Sequence, residues 1–404
     1  MRVVYLHQYF NTPAMAGGTR SYEMARRLVA AGHEVHMVTT WREPTERRGW
    51  FVTEEAGIHV HWLPVRYSNH MAFADRMRAF FHFAWSAARR AACIPADVVF
   101  ATSTPLTIAL PGYYASRRQR IPMVFEIRDL WPDVPIAIGA LNNRFLVKLA
   151  RGLEQFAYRS SARVVALAPG MKETVVERGV APDRVTVIPN GCDFDVFDSR
   201  AEEADLLVLP RRGIAIVYAG TMGLANGVEY IPRLAAELSR VCRSARVNFY
   251  LIGDGGRRGI AESEAERLGV LNETVFFIGS IPKREAARWL RAADASIMTY
   301  AGPEILYRDS VSNKFFDSLA AGKPVLANFR GFSTLTAEAA GAGFILDADP
   351  AKAARDLCDV IRREGALLDA GRAAYDLART RFSRDDLAAD LQKLLRDTVD
   401  GASL

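Results

Sequence analysis

Two carboxylates eight positions apart, Asp309 and Asp317, flank Ser310, Ser312, Asn313 and Lys314 in the stretch RDSVSNKFFDSLAAGKPV at residues 308–325. Eight residues is a little over two helical turns. A helix starting near Ser312 or Asn313, both of types that cap helix N-termini, leaves Asp309 in the preceding loop and sets Lys314 and Asp317 in the first turns. Free backbone N–H groups, an ammonium and two carboxylates then converge on one helix start, with Arg308 as a second cation. Amides and Lys314 suit a diphosphate and carboxylates suit vicinal hydroxyls, so this chemistry describes a sugar nucleotide. On spacing alone, an ordinary helix with solvated acids has the same pattern.

The elements that must position these groups are strands alternating with helices. In the second half of the chain, IAIVYAG (214–220) reads as a strand running into GTMGLANGVE, where Gly220 suits close phosphate approach at a helix start. VNFYLIGDG (247–255) is a second strand, whose Gly253 and Gly255 read as turn residues. After VFFIG (275–279), Ser280 and Ile281 expose backbone groups at a strand end, suited to a nucleobase edge. In the first half, a strand over 3–6, a loop with Pro13, Gly17 and Gly18, a helix stopped by Gly32 and a strand over 34–39 make a βαβ opening. The glycine pair permits a phosphate to approach backbone or makes an ordinary turn; Thr19 and Arg20 follow it. Strands over 97–101 and 122–126 come next, then RDLWPD, which sets Arg128 and Asp129 at a strand's carboxyl end, where open α/β sheets bind ligands. An Arg–Asp pair holding a loop fits equally. A basic helix over 141–159 and a strand over 163–168 lead to VTVIPNGCDFDVF at 185–197.

DSVSNKFFDSLAAGKPVLA resembles the signature segment of the family 4 retaining glycosyltransferases, with aspartates where the family usually has glutamates. The Pro-Asn-Gly-x-Asp segment at 189–193 resembles that family's interdomain segment. The resemblance implies a GT-B fold: two facing Rossmann-like, doubly wound α/β domains with the active-site cleft between them. It also implies metal-independent transfer with retained configuration, no cofactor, and a nucleotide-diphosphate sugar, UDP-linked by family expectation, as donor. In this reading Asp309 faces the transferred sugar, Asp317 the ribose, Gly17 and Gly18 the diphosphate, and Ser280 and Ile281 the base. The family commonly has arginine and lysine where this chain has Thr221 and Asn226, which leaves Lys314 and Arg308 as the nearest cations for the diphosphate. The HQYF start, Arg-Asp-x-Trp-Pro and the Asn-Lys pair are similar to the bacterial branch that adds N-acetyl-L-fucosamine and related amino sugars in O-antigen or capsule assembly. Asp129 then stands near the acceptor hydroxyl.

At 404 residues the chain is too long for one ordinary core. The expected layout is an acceptor-side domain over 1–198, a linker over 199–212, a donor domain over 213–382 and a helix from about 385 to 396, within 383–404, crossing back to the first domain. A formal charge of +6 fits an anionic ligand or membrane surface better than nucleic acid, for which no helix-turn-helix or single-strand platform is present. Cys93, Cys192, Cys242 and Cys358 show no metal-ligand spacing and read as reduced thiols. The Asp-x-Asp pairs at 193/195 and 347/349 have ready loop roles, so no metal site is expected.

Residues 67–93 carry aromatics among arginines, including Phe73, Arg76, Phe80, Phe81 and Trp85. Such a helix suits the interfacial zone of an anionic membrane, or packs its rings on a sheet. No apolar run reaches membrane-spanning length, and MRVVYLHQYF enters a strand directly, so the expected place is cytoplasmic, peripheral on the inner face of the plasma membrane. The function expected is amino-sugar transfer to a lipid-linked saccharide. A small soluble acceptor, a sugar-nucleotide epimerase of the same fold and a nucleotide-sugar or lipid binding protein are the alternatives. A nicotinamide dehydrogenase is disfavoured because Gly17-Gly18 supplies no G-x-G-x-x-G.

Overall fold

The computed structural model describes every residue except 16, 66–70, 72, 198–212, 244 and 403–404, together with the side chains of 73, 74 and 76. The expected linker and the side chains of Phe73 and Arg76 therefore lie outside the described residues. The chain divides into two compact units, Met1–Pro189 with Arg384–Leu404, and Asn190–Ser383.

The first unit is built on β1 (Arg2–Leu6), β2 (Glu34–Trp41), β3 (Phe51–Glu55), β4 (Ile58–Pro64), β5 (Val98–Thr102), β6 (Met123–Ile127), β7 (Arg163–Ala166) and β8 (Val185–Val187). Their order is β3-β4-β2-β1-β5-β6-β7-β8, parallel throughout except for the β3–β4 hairpin. Strands such as RVVYL and MVFEI are buried along nearly their whole length because helices cover both faces. Sequence periodicity did not announce the hairpin. β3 alternates half-buried and exposed residues at the sheet edge, so it carries little apolar signal.

Helix Arg20–Ala30 covers one face, joined there by the C-terminal helix Arg384–Ala402, which buries Leu387, Leu391, Leu394 and Leu395. That last helix is longer than the sequence pattern suggested. Arg27 reaches Asp385 at 2.6 Å beside it. The helix expected at 141–159 starts instead at Arg144, because the Asn143 side chain accepts the N–H groups of Phe145 and Leu146.

The second unit has six parallel strands: β9 (Ile214–Ala219), β10 (Val247–Ile252), β11 (Val275–Ile278), β12 (Ala295–Met298), β13 (Val325–Ala327) and β14 (Gly343–Ile345). The order β11-β10-β9-β12-β13-β14 reverses between β9 and β12, the switch point where doubly wound sheets open a crevice. Helices Tyr230–Val241 and Pro350–Arg362 seal one face over Tyr218, Phe249, Leu251 and Ile297. Among the described residues no helix is long and apolar enough to cross a membrane.

A fully buried ion pair holds the first unit's carboxyl edge together. Arg20 donates to Glu126 Oε1 from Nη2 at 2.7 Å and Nε at 3.1 Å, and to the carbonyls of Ile188 and Pro189. Thr102 donates to Glu126 Oε2 at 2.6 Å. Burial pushes the Glu126 pKa up, but the charge and hydrogen bonds of Arg20 outweigh it and leave it below the usual range. Its contribution is therefore full above the ordinary Glu value of about 4.3 and fades as the pH falls through the lower folded-state pKa. Glu126→Ala strands the guanidinium and should cost the first unit about 3–5 kcal/mol. A urea titration should show that unit's transition moved to lower denaturant, and an unmoved transition would mean the pair is energetically idle.

Candidate active site

In the second unit, the acidic segment folds as expected from its caps. Ser312 is the N-cap of helix Asn313–Ala320. Its side chain makes no capping bond, which leaves the first-turn donors without that acceptor. Asp309 is buried in the loop before the helix, and Arg308 turns back on it, its Nε 2.9 Å from Oδ2. Asp317 is half-buried one turn into the helix.

Lys314 runs from this helix start to the carboxyl end of β9. A Cβ on Gly220, where φ is +148°, would collide with Lys314 Cε. The ammonium lies 4.9 Å from the Tyr218 ring centroid. Desolvation among these groups lowers its pKa to about 8. The same loop is pressed against the end of β10. A Cβ on Gly253 would strike the Gly220 carbonyl, and one on Gly255 would come within 2.6 Å of the Met222 carbonyl. The two glycines thus serve close backbone approach, beyond the turn role read from the sequence.

Thr221 is exposed, and its carbonyl accepts the Tyr218 hydroxyl at 2.6 Å. Asn226 is a loop clasp: its side chain accepts Gly223 N–H at 3.1 Å and its carbonyl accepts Thr299 Oγ1 at 2.6 Å. Ser280 is exposed and Ile281 half-buried after β11, the far strand of the same carboxyl edge. A cavity of about 430 Å³ opens at the ends of β12 and β13 beside Tyr230, Tyr300, Tyr307 and Asn328, and none of the sequence-identified residues lines it.

In the first unit, Gly17, Gly18, Arg128 and Asp129 lie in the loops at the carboxyl edge. Gly17 has φ +127°, and a Cβ there would meet Asn11 Nδ2 at 2.5 Å; that nitrogen donates to Gly18 O. Arg128 N–H donates to Ser103 Oγ at 3.0 Å and its guanidinium to His7 Nε2 at 3.2 Å. Burial first, then Arg128 and Arg42, hold His7 well below the ordinary imidazole range, so it is neutral and accepts. Asp129 is exposed. Surrounding protein raises its pKa against the pull of Arg128, a lift that solvent weakens.

The aromatic helix Phe73–Ala92 divides its residues. Phe83 is buried on the sheet, Phe80 is half-buried with its ring 6.4 Å from Tyr9, and Phe81 and Trp85 are exposed.

Several residues of these edges escaped sequence reasoning. Asn190 donates to the Val311 carbonyl at 2.6 Å and braces the loop between Asp309 and Ser312. Asn328 clasps Tyr300 N and O at the ends of β12 and β13. A signal existed for Glu126, the single acid in an otherwise apolar strand, and for His7-Gln8, polar residues directly after β1. Asn328 carried none, and Asn190, part of the Pro-Asn-Gly-x-Asp segment read from the sequence, gave no hint of its bond to Val311.

The Asp-x-Asp pairs have structural partners. Asp193 is buried with Lys283 Nζ 2.9 Å away, and Asp349 caps helix Pro350–Arg362. Among the described residues no group of three or more His, Cys, Asp or Glu side chains is placed to hold a metal ion.

Residues 16–191 match the family described as Glycosyl transferase 4-like domain, and residues 213–363 match Glycosyl transferases group 1. The D-inositol 3-phosphate glycosyltransferase of Acidothermus cellulolyticus is 28% identical over 236 residues, 55% of this chain. That alignment spans only 50% of the relative's own length. The putative colanic acid biosynthesis glycosyl transferase WcaI of Escherichia coli is 25% identical over 289 residues, covering 66% of this chain and 69% of that protein. Anabaena HepE, solved in complex with UDP and glucose, superimposes with a TM-score of 0.70 at 16% identity over 98% of this chain and 100% of that one, a likeness of fold. None of these names an N-acetyl-L-fucosamine transferase. Two successive family matches, each on its own doubly wound sheet, relate the chain to the Glycosyl transferase 4-like and Glycosyl transferases group 1 families and agree with a GT-B fold.

Proposed function

We propose that the chain moves a sugar, with retained anomeric configuration, from a UDP-linked donor to a small soluble hydroxyl acceptor. The observation that carries the donor half is the Lys314 ammonium drawn to Gly220 beside the uncapped start of helix Asn313–Ala320. A cation, first-turn amides and loop backbone at one strand end form a preorganised environment for a leaving diphosphate. UDP is supported by the ligand of HepE, and a small acceptor by the inositol phosphate in the name of the Acidothermus relative.

In this reading Asp317 holds the ribose, Asp309 the transferred sugar, Ser280 and Ile281 the base, and Ser312 and Asn313 the phosphates. Arg308 enters only by releasing Asp309, to which it is bound. Thr221 and Asn226 contribute backbone and loop shape rather than charge. Gly17 and Gly18 approach the diphosphate, and Asp129 and Arg128 attend the acceptor. No protein nucleophile is invoked, and the donor phosphate takes the acceptor proton. A second reading, amino-sugar transfer to a lipid-linked saccharide at an anionic membrane, draws on WcaI and on exposed Phe81 and Trp85.

The donor is tested by thermal shift with UDP, GDP, ADP and UDP-sugars. A UDP species at about a hundred times its Kd should stabilise by about 2.7 kcal/mol, and Asp317→Ala should weaken it about ten- to a hundredfold. A panel with no shift would remove the transferase reading's support. Candidate acceptors, a soluble polyol phosphate against a lipid diphosphate saccharide, are then compared by UDP release.

The Lys314 pKa sets a pH dependence. Below about 8 the ammonium is charged and attracts the diphosphate, and above that value the attraction is lost. Bound diphosphate raises the pKa, so UDP affinity should fall by at most about one decade per pH unit as the pH climbs through and above 8. Calorimetry from about pH 7.5 to about 9.5, beyond the donor phosphate's own titration, should show that slope in the native chain and a flat line for Lys314→Met. Equal slopes would place the phosphate away from Lys314.

A further inference from the structure

Helices Phe73–Ala92, Ala109–Gln119 and Arg144–Ser160 pack side by side on one face of the first unit's sheet, the middle one touching both others. Tyr113 meets Phe156 across one of these contacts, ring centroids 5.0 Å apart. The sequence pointed to an interfacial surface on the first helix alone. Together the three helices hold ten Lys and Arg and two carboxylates. That surplus of eight exceeds the formal +6 of the whole chain, so the rest of the protein is net acidic.

Both carboxylates are already subtracted in that surplus, Asp75 at the surface and Glu154 within. Asp75 is paired with Arg78 at 3.2 Å, and Glu154 is buried with Arg151 and Arg178. Among the described residues, all five exposed large aromatics, Phe81, Trp85, Tyr113, Tyr114 and Phe145, stand on these helices. Phe145 is 73% exposed, Trp85 65% and Leu149 60%, and Arg89 lies 4.6 Å over the Trp85 ring. Exposing such groups to water is unfavourable, and their interleaving with cations is the composition of an interfacial surface.

We infer that this three-helix face docks on an anionic lipid bilayer, its arginines at the headgroups and Phe145, Leu149, Phe81 and Trp85 in the interfacial zone. The charge selects an anionic partner, and the outward apolar side chains at 145 and 149 select a bilayer over a nucleic acid backbone. The inference extends the second reading above from one helix to a face, and it holds for a soluble or a lipid-linked acceptor.

The test is co-sedimentation of the full chain with phosphatidylcholine vesicles made with and without phosphatidylglycerol, at low salt and at about 0.5 M salt. The UDP thermal shift is read on the same samples. Binding should require the anionic lipid and weaken with salt. Arg117→Glu with Arg118→Glu should lower the bound fraction about tenfold or more, and Phe145→Ser with Leu149→Ser should lower it at both salts. Both pairs are on the surface and should keep the native melting temperature and UDP shift. Absence of binding to anionic vesicles, binding undiminished by both pairs, or tighter binding to an oligonucleotide under the same conditions would each overturn the inference. A missing UDP shift with intact vesicle binding would instead count against the transferase reading alone.

Discussion

Lys314 reaches the carboxyl end of β9 because residue 220 has no side chain. Its aliphatic stem fills the volume a Cβ would take, and its ammonium comes to rest against the Tyr218 ring, where loss of water lowers its pKa. Glycines 253 and 255 extend the same constraint. Each lies at positive φ and lets the loop after β10 press on the backbone of residues 220 and 222. The result is a strand edge of closely stacked backbone into which the Lys314 side chain is inserted, with Arg258 donating to the Gly253 carbonyl at 3.3 Å. A flexible Lys on an open loop would be a hydrated point charge; here it is held and partly desolvated, so an anion brought to it would meet a donor that needs little reorganisation.

The first unit solves a different electrostatic problem. Arg20 and Glu126 are both taken out of water, a costly step that is tolerable only because the guanidinium also satisfies two carbonyls and the carboxylate also accepts Thr102. The pair joins a helix start, the end of β6 and the chain after β8. It sets the neighbouring loop from which Arg128 and Asp129 emerge. Arg128 is in turn oriented by a neutral His7, which can accept because burial keeps it unprotonated.

Thr221 and Asn226, at the positions where the resemblance led us to expect cations, have structural roles. Asn226 closes a turn with its amide and receives Thr299 on its carbonyl. Thr221 offers its carbonyl to Tyr218. Positive charge is placed elsewhere: at Lys314 beside Gly220 in the second unit, and as a broad surplus on three helices of the first.

The alternation of apolar runs and amphipathic stretches made the doubly wound class legible, since buried parallel strands are continuous in hydrophobicity and their helices are not. Residue type made the start of helix Asn313–Ala320 legible at Ser312, although that side chain makes no capping bond. The β3–β4 hairpin stayed hidden, because a short, half-exposed edge strand carries little apolar signal. Partners that lie far away in sequence also stayed hidden. Asn190 meets Val311 across 121 positions, and Arg20 meets Glu126 across 106. Residue types and spacing thus determined which chemistry the chain can offer and on which local element. Which cation is desolvated, which acid is paired and which aromatics face water were decided only by tertiary packing, because burial and electrostatic partnership are properties of the assembled fold.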